Sequence, residues 1–326
     1  MNFRRYKNNP VIPRTPRTFY SIYSANPDVI FFKGKYHFYF RGQGAEGRDR
    51  IGVAYASPEK FDGIHWEMYE GNPVIGTGEK DSFDADHVLD PAAIEFNGKI
   101  YLYYTAHFSS AHKSSTGLAI SDDGTTFQKI GKNPVISDIA PEAVVKDGKV
   151  YLFASHTMPG GYFEIHRYES ADGIYFPVST KQVVFRPSGI KGAFDRFSVT
   201  TVRIWQEHDW FYMTYAGCVE FYDYPGAIGL ARSKDLLNWQ RYPRNPILAR
   251  GEPGTWDEAA LWFATVMKVG KKYYMWYEGG GSGMGLDTPE AREASRIARE
   301  ENYGGYGKTT FSQIGLATYE GEMPEW

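Results

Sequence analysis

Residues 24–40, SANPDVIFFKGKYHFYF, run from a Pro-containing turn through an apolar strand, reverse at Lys33-Gly34-Lys35, and return as an aromatic strand. The same phrase recurs as LDPAAIEFNGKIYLYYTA from Leu89, APEAVVKDGKVYLFAS from Ala140, VTTVRIWQEHDWFYMTYAG from Val199 and FATVMKVGKKYYMWYEGG from Phe263. Each reads as strand, tight turn, strand, with Gly-bearing turn chemistry in most copies. The tyrosines after the turns, Tyr36, Tyr101, Tyr151, Tyr212 and Tyr273, are 65, 50, 61 and 61 residues apart. A repeat of that length is one propeller blade.

Working outward, each hairpin is followed by a third strand: IGVAYAS at Ile51, GLAIS at Gly117, IHRYES at Ile165, IGLARS at Ile228 and IGLATY at Ile314. Behind four of them stands a turn and an edge phrase, three times of the form NPVI or NPIL, where proline is tolerated for want of a ladder partner. The fifth unit ends without that phrase, while the chain begins with a spare one at Asn9-Pro10-Val11-Ile12. The expected fold is all-β: a single five-bladed propeller over residues 1–326, with four-stranded antiparallel blades and a ring closed by the N-terminal strand. The last unit is about 25 residues longer than the period, and the excess predicts a helical insertion at about 281–309, with its helix over 288–302. That helix reads either as a solvated surface excursion or as a lid or subunit contact.

Composition narrows the function. Aromatics make up 17% of the chain, suiting strands and the flat faces of sugars. A formal net charge of −3 with no basic stripe excludes the electrostatic footprint of a nucleic-acid binder. No apolar run approaches the ~18 residues of a membrane span, and the N-terminus lacks a signal-peptide core, so a cytoplasmic location is expected. The single cysteine, Cys218, permits no internal disulfide.

In a propeller the innermost strand of every blade opens into one shared funnel. The strand starts here carry Asp28, Asp90 and Glu142 at one repeat position or near it. Cleaving a glycosidic bond needs a proton donor and a second carboxylate as base or nucleophile, so these three are the candidate catalytic residues. Asn26, His87, His107, His156, Asp195, Arg196 and Trp262 are the candidate substrate-binding residues. Asp84 and Asp257 follow an aromatic-Asp pattern that recurs in several blades and reads as structural. No HExxH-type spacing marks a metal site, and no GxSxG elbow marks a serine hydrolase. No cofactor is required, although the axis leaves room for a calcium ion.

DPAAIEFNGKIYLYYTA, the NPVI edges and the IGLA third strands resemble the five-bladed glycosidases: arabinanases and β-xylosidases (family 43), invertases and fructanases (family 32), and mannoside phosphorylases and mannosidases (family 130). In the first two groups an Asp opening blade one is base or nucleophile, an Asp-Pro opens blade two, and a Glu at blade three is the acid. Asp90-Pro91 matches. Asn26-Pro27 stands at the first position with Asp28 two residues on, and Ile139 stands at the third with Glu142 three residues on. The resemblance implies Asp28 as base or nucleophile and Glu142 as acid, with Asp90 tuning them, or serving as the acid as in the mannoside phosphorylases. The DPR of the latter is DPA here, which favours hydrolysis over phosphorolysis. The expected function is release of a terminal sugar from a small oligosaccharide; a mannoside-type phosphorylase and a sugar-binding propeller without catalysis are the alternatives.

Overall fold

The computed structural model describes residues 1–108, 111, 113–220, 223–281 and 311–326. Five antiparallel sheets follow one another along the chain. Their innermost strands are β2 (Tyr23–Phe32), β6 (His87–Phe96), β10 (Ile139–Lys146), β14 (Ser198–Glu207) and β19 (Ala260–Val269). Each pairs with a second strand, in order β3 (Lys35–Gln43), β7 (Lys99–Phe108), β11 (Lys149–Met158), β15 (Trp210–Cys218) and β20 (Lys272–Gly281). The third strands are β4 (Asp49–Ala56), β8 (Lys113–Ser121), β12 (Tyr162–Ser170), β16 (Ala227–Ser233) and β21 (Phe311–Glu320).

Short outer strands complete the blades: β5 (Glu67–Met68), β9 (Gln128–Lys129), β13 (Gln182–Phe185) and β17 (Gln240–Arg241), with a further edge pairing of Leu248–Ala249 in blade four. The fifth blade takes its outer strand from the N-terminus, β1 (Arg4–Arg5) on β21, and Ile12 bridges Ile314. The expected helical insertion and its 288–302 helix lie outside the described residues. No helix among the described residues is long and apolar enough to cross a membrane.

The hairpins turn as their sequences dictate. Two-residue loops at Lys33-Gly34, Asn97-Gly98 and Asp147-Gly148 all have positive φ at both positions, the geometry that matches strand twist. Between blades, aromatic side chains fill the gaps: Phe38, Trp276 and Trp66 join blades five and one, and Tyr103 and Phe176 join two and three. Their polar tips are used as well. Tyr39 donates to the Gly124 carbonyl at 2.7 Å, Tyr103 to Gly173 at 2.6 Å and Trp276 to Gly63 at 2.8 Å, each a donor on a second strand reaching a turn in the next blade.

The Asn-Pro phrases are a repeated clasp. Asn72, Asn133, Asn245 and Asn9 each accept from and donate to the backbone of one third-strand residue, respectively Val53, Leu118, Leu230 and Leu316.

Every innermost strand carries a bulge at the same place. The residues Asn26, Asp90, Ala140, Thr201 and Phe263 occupy it with φ of 49°, 54°, 51°, 49° and 43°. Positive φ is costly for a β-branched or bulky residue, so Thr201 and Phe263 show that the ring imposes the conformation on its sequence. Beyond the bulge, Asp28, Ala92, Glu142, Arg203 and Thr265 share the next equivalent position.

Candidate active site

The bulge separates two levels of the axis. At the upper level a cavity of about 170 Å³ is lined by Asn26, Asp90, Ala140, Thr201 and Phe263 from the bulges, and by Arg41, Thr105 and Glu278 from the second strands. His107, Ser114, Asp223 and Trp262 complete much of its wall. At the lower level a separate cavity of about 450 Å³ opens between the far ends of the inner strands, with Asp28 and Glu142 in its lining.

Arg203 stands between them. Its side chain is fully buried and donates to the carbonyls of Pro91 at 2.8 Å and Pro141 at 3.0 Å. It lies 3.3 Å from Glu142 and 3.9 Å from Asp28. The Phe263 ring covers the guanidinium, 4.7 Å from its carbon. Asp28 further accepts from the Ala93 amide at 2.6 Å and Thr265 at 3.3 Å, and Glu142 accepts from the Ile204 amide at 3.0 Å. Burial raises both carboxyls above their ordinary range even though Arg203 draws them down. The sequence reading grouped Asp28, Asp90 and Glu142 at one mouth; the structure puts Asp90 above Arg203 and the other two beside and below it. At that height of the axis the positive charge beside both carboxylates is the Arg203 guanidinium.

The second strands explain the upper level. Arg41, Thr105, Ser155, Ala216 and Glu278 occupy one register position, each opposite the residue before a bulge. Where that position carries an acceptor, it caps the bulge amide of the next blade. Glu278 Oε2 accepts from Asn26 N at 3.2 Å and Nδ2 at 2.7 Å, Thr105 from Ala140 N at 2.8 Å, and Ser155 from Thr201 N at 3.4 Å. Arg41 breaks this rule by bringing a donor to the seam where Asp90 stands. Its Nε donates to Asp49 at 2.6 Å, and Asp49 also engages His87 Nδ1 at 2.9 Å. Burial opposes ionisation of Asp49, but Arg41 and His87 outweigh it and hold the carboxyl low.

Three carboxylates, Asp90, Asp223 and Glu278, therefore face one small cavity. Burial pushes Asp90 up to about 6, against a hydrogen bond from Thr105 and the charge of Arg41. Burial likewise pushes Glu278 up to about 7, with Arg41 and bonds from Ser312 and Asn26 opposing and the charge of Asp90 adding to the rise. Asp223 is raised by burial while it accepts from Trp262 Nε1 at 2.8 Å. Asn26 Oδ1 is buried in the cavity wall and has no hydrogen-bond partner among the described residues.

Of the residues the sequence put forward as substrate-binding, Asn26, His107 and Trp262 line this cavity. His87 lies behind His107, ring centres 5.8 Å apart, and His156 turns to Asp138 in blade three. Asp195 is elsewhere: it accepts from Tyr215 at 3.1 Å and Arg241 at 2.8 Å inside blade four. Asp84 with Tyr104 and Lys129, and Asp257 with Tyr277 and Arg5, repeat that arrangement in blades two and five. Arg196 lies 3.9 Å from Glu220, beside a different surface hollow. Arg41, Asp223 and Glu278 went unnoticed in the sequence. Aligning the second strands as closely as the first would have exposed two of them, since a charged residue stands at a position otherwise filled by Thr, Ser and Ala.

Residues 23–158 match the N-terminal domain of glycosyl hydrolases family 32. The chain resembles the five-bladed glycosidase propellers. Over 140 residues it is 32% identical to a sucrose-6-phosphate hydrolase of Zymomonas mobilis, an alignment that covers 39% of this chain and 25% of that protein. The chain thus spans about a quarter of the length of the curated relatives it matches. Among solved structures, an N-acetylgalactosamine deacetylase from F. plautii superposes with a TM-score of 0.74 at 16% identity, covering 98% of this chain and 95% of the other. The β-1,2-mannobiose phosphorylase of Listeria innocua gives 0.68 at 15% identity over 98% and 97%. A thermostable family-43 glycoside hydrolase gives 0.63 at 17% identity over 93% and 92%. These likenesses are of fold.

Proposed function

We propose that the chain is a glycosidase that takes the terminal ring of a small oligosaccharide into the upper cavity, with Asp90 and Glu278 as its reacting carboxylates. The observation that carries this reading is the pair itself: two buried carboxyls on one cavity, raised to about 6 and about 7, with the charge of Arg41 in the same lining acting on both. Near neutral pH such a pair holds one proton and one charge, the combination of acid and base that glycosidic cleavage uses. The cavity falls below the roughly 300–1,000 Å³ typical of drug-sized ligand sites and suits a single sugar ring, hence attack at a chain end. Asn26 Oδ1, Asp223, His107 and Trp262 are assigned to the ring's hydroxyls and face. Asp28 and Glu142 are assigned to holding the inner strands together around Arg203.

The test is a panel of aryl arabinofuranosides, xylosides, fructosides, mannosides and galactosides, each with and without phosphate, against wild type, Asp90→Asn and Glu278→Gln. Turnover that both substitutions lower by about 10²–10⁴-fold supports the proposal. Strict dependence on phosphate would replace hydrolysis by phosphorolysis. Acetate release from an N-acetylhexosaminide with its glycosidic bond intact would overturn the reading. So would tight sugar binding without any product, the outcome that Asn26 and Ala140, non-acids at bulge positions, would favour.

A further inference from the structure

On the mouth end of blade three, away from the carboxylates above, three side chains far apart in sequence converge. Asp138, buried, precedes Ile139 and Ala140 of the cavity wall. His156 Nδ1 lies 2.7 Å from its Oδ1, and His166 Nδ1 lies 3.1 Å from its Oδ2. The two imidazoles stack with ring centres 4.2 Å apart. All three ligand-type atoms fall within 4.8 Å of one another.

The other nitrogen of His166 decides how this cluster is read. His166 Nε2 is 2.9 Å from Glu164 Oε1, and Arg186 Nε fixes the second oxygen of Glu164 at 3.2 Å. A carboxylate only accepts, so Nε2 carries the hydrogen, and in a neutral ring Nδ1 is then a lone pair. That lone pair faces a carboxylate oxygen at 3.1 Å, and two acceptors at that distance repel unless a cation lies between them.

We propose that Asp138, His156 and His166 form a binding site for a divalent transition ion of the zinc class. Two imidazole nitrogens and one carboxylate oxygen select zinc, cobalt or nickel over magnesium and calcium. Glu164 is the outer carboxylate that orients a ligating histidine, and Tyr168, donating to Asp138 Oδ2 at 2.6 Å, steadies the third ligand. Lys181 Nζ stands 3.3 Å from the same oxygen with its side chain partly in solvent, and turns outward when the ion enters. His156 is one-third exposed, so the ion has a path in and an open position for water.

The experiment uses the full chain, stripped with a chelator and titrated with Co²⁺ followed by visible absorption, with metal content measured after Zn²⁺ loading and dialysis. One equivalent with a tetrahedral cobalt spectrum is expected. His156→Gln should weaken it at least 100-fold and Glu164→Gln about 10- to 100-fold. His156→Gln alters a partly exposed side chain and keeps the test alive should changes at buried Asp138 or His166 prevent folding. Binding unchanged by His156→Gln, or abolished by Asp90→Asn instead, would place the ion elsewhere and overturn the proposal. A chain that binds no ion while NMR shows hydrogens on both nitrogens of His166 would overturn it too, the cation being then a proton.

Discussion

Arg203 Nη1 lies 3.3 Å from Glu142 Oε2, and both side chains are buried on the propeller axis. A guanidinium with five fixed donors meets the carbonyls of the Pro91 and Pro141 steps together with two carboxylates, which a compact ammonium could not do. Arg203→Met leaves Asp28 and Glu142 with an uncompensated burial, and a loss of about 3–5 kcal/mol in unfolding free energy is expected by urea denaturation. Arg203→Lys should recover less than half of it.

The raised carboxyls give a pH dependence of definite sign. Asp90 and Glu278 ionise near 6 and 7 in the folded chain against 3.8 and 4.5 for ordinary groups. The native state thus holds protons that the unfolded chain releases, so their contribution to stability is full below about pH 4 and is lost as pH rises through about 6 and 7. Asp90→Asn should flatten the part of the thermal midpoint profile between about pH 4 and 6. A mutant curve parallel to wild type over that range would show that Asp90 is not perturbed.

Thr105 serves two neighbours, accepting from Ala140 N at 2.8 Å and donating to Asp90. Thr105→Val keeps the shape and removes both bonds, so the Ala140 amide is left unsatisfied at a cost of about 1–3 kcal/mol. The charged form of Asp90 loses a donor, so Asp90 should titrate higher still, as ¹³C-detected carboxyl shifts would record.

Asp257 accepts from Arg5 at 2.7 Å and Tyr277 at 3.0 Å, tying the N-terminal strand to blade five. Asp257→Ala should cost about 2–4 kcal/mol and expose residues 1–12 to proteolysis and amide exchange before the rest of the ring. Uniform protection across the chain would mean that the backbone pairing with β21 suffices without the ion pair.

Turnover in the upper cavity should follow a narrow bell in pH with limbs near 6 and 7, and Glu278→Gln should remove one limb. A flat profile over pH 5 to 8 would remove Asp90 and Glu278 from the reaction.

Much of this architecture was legible in the chain. Strand, Gly turn and strand recurring at blade-length spacing give five hairpins, because two-residue turns need particular residues at positive φ and alternation needs a buried face. Asp84 and Asp257 were likewise readable as structural, since acids repeated from blade to blade do the same work in each. The spare Asn9-Pro10 phrase announced its place beside the last third strand, which lacked one.

What the chain could not show is where its acids meet. A bulge in every inner strand holds Asn26 and Asp90 at one height of the axis and Asp28 and Glu142 at another, although Asn26 and Asp28 are only two residues apart on one strand. The bulge has no residue signature, since Asn, Asp, Ala, Thr and Phe all adopt it; the closed packing of blade on blade enforces it. Arg41 and Glu278 reach the cavity from second strands, and Glu278 meets Asn26 across 252 residues because the last blade packs beside the first. Local periodicity determined the strands, and only the ring decided which side chains share a cavity and which cation fills the axis.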